Sequence, residues 1–144
     1  MHPMPHSYRV SASALAEGSV DLETADVPPL ASAAPPEFDG PGGHWSPETL
    51  LTAAVADCFV LSFRAVATAS RFPYLKLECA VEGTLDRVER QTRFTGFRLH
   101  AKLEIEASAD EQRAVTLLQK AESVCLVSNS LNTPTHLTTE IVRR

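Results

Sequence analysis

The stretch "SPETLLTAAVADCFVLSFRAVATASR" (46–71) decides the fold. Ser46 is a favoured N-cap, Pro47 a favoured first helical residue, and Glu48 a favourable charge in the first turn. Pro73 ends the helix just after Arg71. Between the cap and Ser70 only Glu48, Asp57 and Arg64 are charged. A helix that is apolar nearly all round is expected to be buried at the centre of a fold.

The rest of the chain arranges itself around this helix. Downstream, "LKLECAVEGTL" (75–85) alternates, with Leu75, Leu77, Cys79 and Val81 on one face. After a turn near Val88–Gln91, "TRFTGFRLHAKLEIEA" (92–107) alternates again. The two predict an antiparallel hairpin with one wet face. "SADEQRAVTLLQKAE" (108–122) predicts a helix opened by a capping box from Ser108 to Glu111. "SVCLVSNSL" (123–131) predicts a short helical piece after a break, and "THLTTEIV" (135–142) a last strand. Upstream, "SYRVSASAL" (7–15) and "GSVDLETA" (18–25) predict two strands joined near Gly18. Residues 26–45 hold five of the ten prolines and three of the six glycines, and predict a long loop with at most a short edge strand. The order is β-β, helix, β-β, helix, β. That is an α+β fold with mainly antiparallel sheet, in a single domain spanning 1–144.

The 144 residues suit one domain with a substantial core. The formal net charge is −5, with no basic patch, which argues against nucleic-acid binding. The N-terminus, "MHPMPHSYRV", has no apolar secretory segment. The longest apolar segment, Leu50 to Val60, is interrupted by Thr52 and Asp57, so no membrane span is expected. The expected location is the cytoplasm. Three cysteines in a reducing compartment are then free thiols, or a working redox pair and one structural thiol.

Cys79 falls on the apolar side of a strand, and its expected role is that of a small hydrophobe. Cys58 has Ala54, Val55, Leu61 and Ser62 as helical neighbours; burial among these alone would make it inert. Cys125 lies near the start of a helical piece among polar residues, which suggests partial exposure. There is no CxxC, no GxSxG and no phosphate-cradling glycine loop. His44, His100 and His136 leave a Cys–His hydrolase open, although no spacing ties any of them to a cysteine. Asp57 beside Cys58 would oppose ionisation of the thiol, so it is expected to be a polar surface residue. Ser128 and Asn129 are placed either to bond near Cys125 or to cap locally.

"GGHWSPETLLTAAVADC" resembles the segment of the OsmC/Ohr proteins in which a Pro-Glu pair opens the central helix and a cysteine follows ten residues after the glutamate. Glu48 and Cys58 keep that spacing, and "AESVCLVSNSL" resembles the family's second cysteine segment. The element order is similar along nearly the whole chain. The resemblance implies antiparallel sheets packed on a long buried helix, in an intertwined homodimer with shared active sites. It also implies a peroxidase, free of metal, haem or other cofactor, that reduces alkyl or fatty-acid hydroperoxides. By that resemblance Cys58 attacks the peroxide and becomes a sulfenic acid, Cys125 condenses with it, and an external dithiol, such as a lipoylated protein, restores both. Glu48 joins these as a site residue. Along a straight helix it lies about 15 Å from Cys58, so its contribution is expected from a second subunit or through a chain of contacts. The family's arginine near the first β-turn is replaced here by Ala16. The alternative reading is a non-catalytic protein of the same fold that binds a small apolar ligand.

Overall fold

The computed structural model describes all 144 residues. They form two compact units, residues 1–50 and 51–144. In the first, β1 (Ser11–Ser13), β2 (Val20–Glu23) and β3 (Leu30–Ser32) make a small antiparallel sheet in that order. The loop expected over 26–45 therefore contains its short edge strand, followed by a single 3-10 turn at Pro36–Phe38. Asp39 ends that turn in the left-handed region, at φ 60°.

Helix α1 (Pro47–Ala69) starts where the sequence places it. The Ser46 hydroxyl accepts the Thr49 N–H at 3.1 Å, and Thr49 Oγ1 accepts the Ser46 N–H at 2.9 Å. This reciprocal cap satisfies two backbone donors at once. The helix stops as Arg71 turns left-handed, at φ 51°, ahead of Pro73. Within one chain α1 buries a single stripe, Val55, Phe59, Phe63 and Ala67, at the four-residue spacing of a helix face. Its remaining surface stays apolar: Leu61 is 50% exposed. By length and composition α1 is apolar enough to cross a membrane, with a mean hydropathy of 1.8 over its most apolar window. This corrects the expectation that no segment of the chain reaches that threshold.

In the second unit, β4 (Lys76–Val88) and β5 (Gln91–Ile105) form the expected hairpin. The turn residues Glu89 and Arg90 both have positive φ, 52° and 68°. That is the pattern of a two-residue turn whose twist suits the strands, made here without glycine. β6 (Thr135–Arg143) pairs with β5 in parallel, the one parallel strand pair in the mainly antiparallel sheets expected. The cause is α2 (Glu111–Val124), which carries the chain back to the starting edge of β5, and a parallel pair needs such a crossover. Arg143 Nη2 lies 3.2 Å from Glu111 at one end of this pairing of α2 with β6.

The start of α2 also differs from expectation. The N-cap is Asp110, whose carboxylate accepts the Arg113 N–H at 3.0 Å, and not Ser108. Asp110 has the extended backbone that a cap requires, so the helix opens later. α3 (Leu126–Asn129) follows after a break at Cys125.

The inner face of the β4–β5–β6 sheet supplies Phe97, Leu99, Ala101, Leu103 and Ile105, all buried, which pack with Ala114, Leu117, Leu118 and Ala121 of α2 and with the α1 stripe. Gly83 is placed opposite Phe97. A Cβ there would lie 2.7 Å from a Phe97 ring carbon and 3.0 Å from one of Phe94. The two rings stack with centroids 5.0 Å apart, and Phe97 is 1% exposed, so neither has room to retreat. Gly83→Ala is therefore expected to cost about 1–3 kcal/mol through overpacking. Urea unfolding should show a lower midpoint at an unchanged slope.

Candidate functional site

Two of the expected site residues come together in the second unit. Cys58 sits in the fourth turn of α1, half-buried. Its Sγ lies 3.9 Å from Ser62 Oγ, one turn further along. Cys125 is the hinge between α2 and α3, closing one helix and opening the other with an extended ψ of 108°. It is wholly buried, which corrects the expectation of partial exposure. The polar residues around it do not hold it at the surface. They spend their hydrogen bonds on nearby backbone: Ser123 donates to Lys120 O at 2.7 Å, and Asn129 donates to Ser123 O at 3.1 Å.

Burial pushes the Cys125 thiol up, because it disfavours the charged form. Four hydrogen bonds reverse the balance and leave its pKa below that of an ordinary thiol. They come from the Ser128 hydroxyl, the Ser128 N–H, the Cys58 thiol and the Val127 N–H. The Ser128 Oγ to Cys125 Sγ distance is 3.5 Å. Cys58 and Cys125 are thus free thiols in one site, with the Cys58 thiol among the groups that lower the pKa of Cys125. Of the two roles left open for Ser128, the structure assigns the contact with Cys125.

Cys79 takes the expected place of a small core hydrophobe. It is half-buried on the inner face of β4, as a core cysteine should be. Burial, and after it the charge of Cys125, push its pKa up to about 11.

The remaining candidates are spread over both units. Glu48 stands in the first turn of α1 and Asp57 is exposed. Ala16 is exposed. His44 is exposed and bonds Gly42 O at 3.1 Å. His136 lies on the outer face of β6, where its charge acts on the Glu122 carboxyl. His100 bonds Thr138 and Glu140, also on the outer face. None of these imidazoles has a cysteine for a partner. No three His, Cys, Asp or Glu side chains are grouped to hold a metal ion.

Comparison with known proteins adds the family context. Residues 40–140 match the family described as OsmC-like protein. YmaD of Bacillus subtilis (strain 168), an uncharacterized protein, is 29% identical over 100 residues, 67% of each chain. A solved structure from Legionella pneumophila is described as an organic hydroperoxide resistance protein OsmC, predicted redox protein and regulator of sulfide bond formation. It is 26% identical, covers 96% of this chain and 98% of its own, and superposes with a TM-score of 0.76. An OsmC-like protein of unknown function from Vibrio cholerae O1 biovar eltor reaches a TM-score of 0.83 at 17% identity, over 96% of this chain and 100% of its own. That second likeness is one of fold.

The hydrogen bonds on Cys125 carry a prediction. Ser128→Ala removes the donor named first among those that lower its pKa, so the thiol should titrate at higher pH. Thiolate absorbance near 240 nm, followed against pH in Cys79→Ala and in Cys79→Ala/Ser128→Ala, would show this shift. The sign for stability follows. A thiol with a depressed folded pKa contributes stability above its unfolded pKa, and that contribution is lost as pH falls through the folded pKa. Ser128→Ala should narrow that window.

Proposed function

Because the chain belongs to the OsmC-like protein family, we propose that it is a thiol-dependent peroxidase that reduces organic hydroperoxides to alcohols. The observation that supports this reading is the placing of two free thiols in one site, a half-buried Cys58 and a buried Cys125 whose pKa the Ser128 hydroxyl and Cys58 help to lower. In the cycle, the Cys58 thiolate attacks the distal peroxide oxygen, the O–O bond breaks, and the alkoxide leaves as alcohol after taking up a proton. Cys58 becomes a sulfenic acid. The Cys125 sulfur attacks it, water leaves, and a Cys58–Cys125 disulfide forms. An external dithiol, such as a lipoyl group on a partner protein, reduces that disulfide and is itself oxidised. Such dithiols belong to a reducing compartment such as the cytoplasm.

The apolar neighbours of Cys58, among them Ala54, Val55 and Leu61, suit alkyl or fatty-acid hydroperoxides better than hydrogen peroxide. Glu48, about 15 Å along the helix from Cys58, serves the site of a second subunit. The homodimer this requires is supported by α1, whose most apolar window is only 28% buried in the single chain. An apolar helix left so open is covered most simply by its own copy. Sedimentation equilibrium should give twice the 15.6 kDa of the chain. Leu61→Glu should shift the protein toward monomer.

The test of activity is turnover of cumene hydroperoxide with a dithiol reductant. Cys58→Ser should lower kcat/KM at least about 100-fold, since it removes the nucleophile. Cys125→Ser should consume one equivalent of peroxide quickly and then stop, holding a sulfenic acid on Cys58. Full activity in Cys58→Ser would end the reading. Failure of one equivalent of hydroperoxide to oxidise Cys58 within minutes in folded protein would favour the ligand-binding alternative instead.

A further inference from the structure

β6 pairs with β5 only from Phe97 onward, so Arg93 and Phe94 stand on an open edge of β5, beyond the shared ladder. The chain leaving α3 passes this edge. Between it and the second turn of α1 lies a cavity of about 550 Å³. Its apolar lining is Leu51, Phe94 and Leu131, all three packed against the core. Phe94 and Phe97 are three residues apart yet both face inward and stack, because the β4–β5 pairing shifts register between Thr84 and Leu85.

The polar lining is Arg93, Asn132 and Thr133. The Phe94 carbonyl oxygen gathers two of these donors, with Arg93 Nη1 at 3.5 Å and the Thr133 hydroxyl at 3.4 Å. Both distances are long for hydrogen bonds. Arg93 is the only charged residue in the lining, and no carboxylate pairs with it. A guanidinium has several N–H donors, so most of those on Arg93 remain open to a ligand. An apolar cavity with one unpaired cation and further donors at its edge is complementary to an amphiphile with a carboxylate head.

The cavity shares its walls with the elements that carry the two thiols. Leu51 and Cys58 are two turns apart on α1, which puts them on one face, about 10 Å apart along the axis. Leu131 N–H donates to Ser128 O at 3.2 Å, and the Ser128 hydroxyl contacts Cys125.

We propose that this cavity is a head-group subsite, in which Arg93 and Thr133 hold the carboxylate of a hydroperoxide whose chain runs along Leu51 toward Cys58. Arg93 is then a specificity-determining residue that favours carboxylate-bearing hydroperoxides over neutral ones. The peroxide group of such a substrate lies in mid-chain, about 10 Å from the carboxylate. That the ligand is a substrate rests on the peroxidase reading above. That the cavity takes an anionic amphiphile rests on its lining alone.

The test uses the whole reduced protein and two unreactive probes, octanoate and 1-octanol, in isothermal titration calorimetry. Arg93→Gln should weaken octanoate about tenfold, the worth of a hydrogen bond to a charged group, and leave 1-octanol as in wild type. Arg93→Lys, which keeps the charge, should recover part of the loss. In turnover, the ratio of kcat/KM for linoleic acid hydroperoxide to that for its methyl ester should fall by the same factor in Arg93→Gln. Far-UV circular dichroism confirms the fold of each variant. Octanoate binding that is absent in wild type, or unchanged in Arg93→Gln, overturns the inference and leaves the peroxidase reading standing. Equal losses for octanoate and 1-octanol also overturn it, because charge then plays no part. Selective loss of octanoate in a protein that reduces neither hydroperoxide upholds the anionic subsite and overturns the peroxidase reading.

Discussion

A sulfur atom removed from water carries negative charge only when donors replace the water, and Cys125 is built around that requirement. Its burial opposes ionisation, and the donors that win lie almost entirely within the next few residues of chain. The break between α2 and α3 is what makes them available. A continuous helix would commit the Val127 and Ser128 N–H groups to carbonyls one turn back. By turning extended at Cys125, the chain frees those groups and leaves the Ser128 hydroxyl on the sulfur. The irregularity in the fold is thus the source of the chemistry. The regular elements on either side, α2 held over β6 and the sheet beneath, fix where that irregularity falls.

α1 answers a different constraint. It buries one stripe against the core and keeps apolar residues on faces that the single chain leaves open. A helix with only one dry face ordinarily places charges on the others. Here just Glu48, Asp57 and Arg64 are charged, and they fall in separate turns. The composition of α1 is that of a helix with neighbours on several sides. Its hydropathy is high for the same reason, which is why length and composition alone do not separate such a helix from a membrane span.

Much of this organisation is legible in the sequence, for reasons that can be named. The alternation in β4 and β5 runs through long segments, so the wet and dry faces follow directly. The Ser46-Pro47-Glu48 start of α1 and the Pro73 stop are strong local signals. The N-cap of α2 is not, because Ser108 and Asp110 both have capping side chains and only the backbone decides between them. The burial of Cys125 is hidden for a related reason. Ser123 and Asn129 look like surface residues, yet their polar groups are absorbed by local backbone. Cys58 and Cys125 are legible as a pair through the family resemblance.

By the family resemblance Ala16 stands where an arginine is expected, and this bears on the sulfur pair. A cation beside a thiolate stabilises charge on that one sulfur. A second thiol does something else, because it can both give and take the proton. In the reduced site the Cys58 thiol is one of the groups that lower the pKa of Cys125. For Cys58 to attack a peroxide, its proton must go elsewhere, and in the proposed cycle the Cys125 sulfur receives it. In the proposed cycle Cys125 is then the base for the first step as well as the partner in the second. The proton it accepts leaves with the water released when the disulfide closes. The buried, donor-rich setting of Cys125 and the half-open, apolar setting of Cys58 are suited to these two roles in that order.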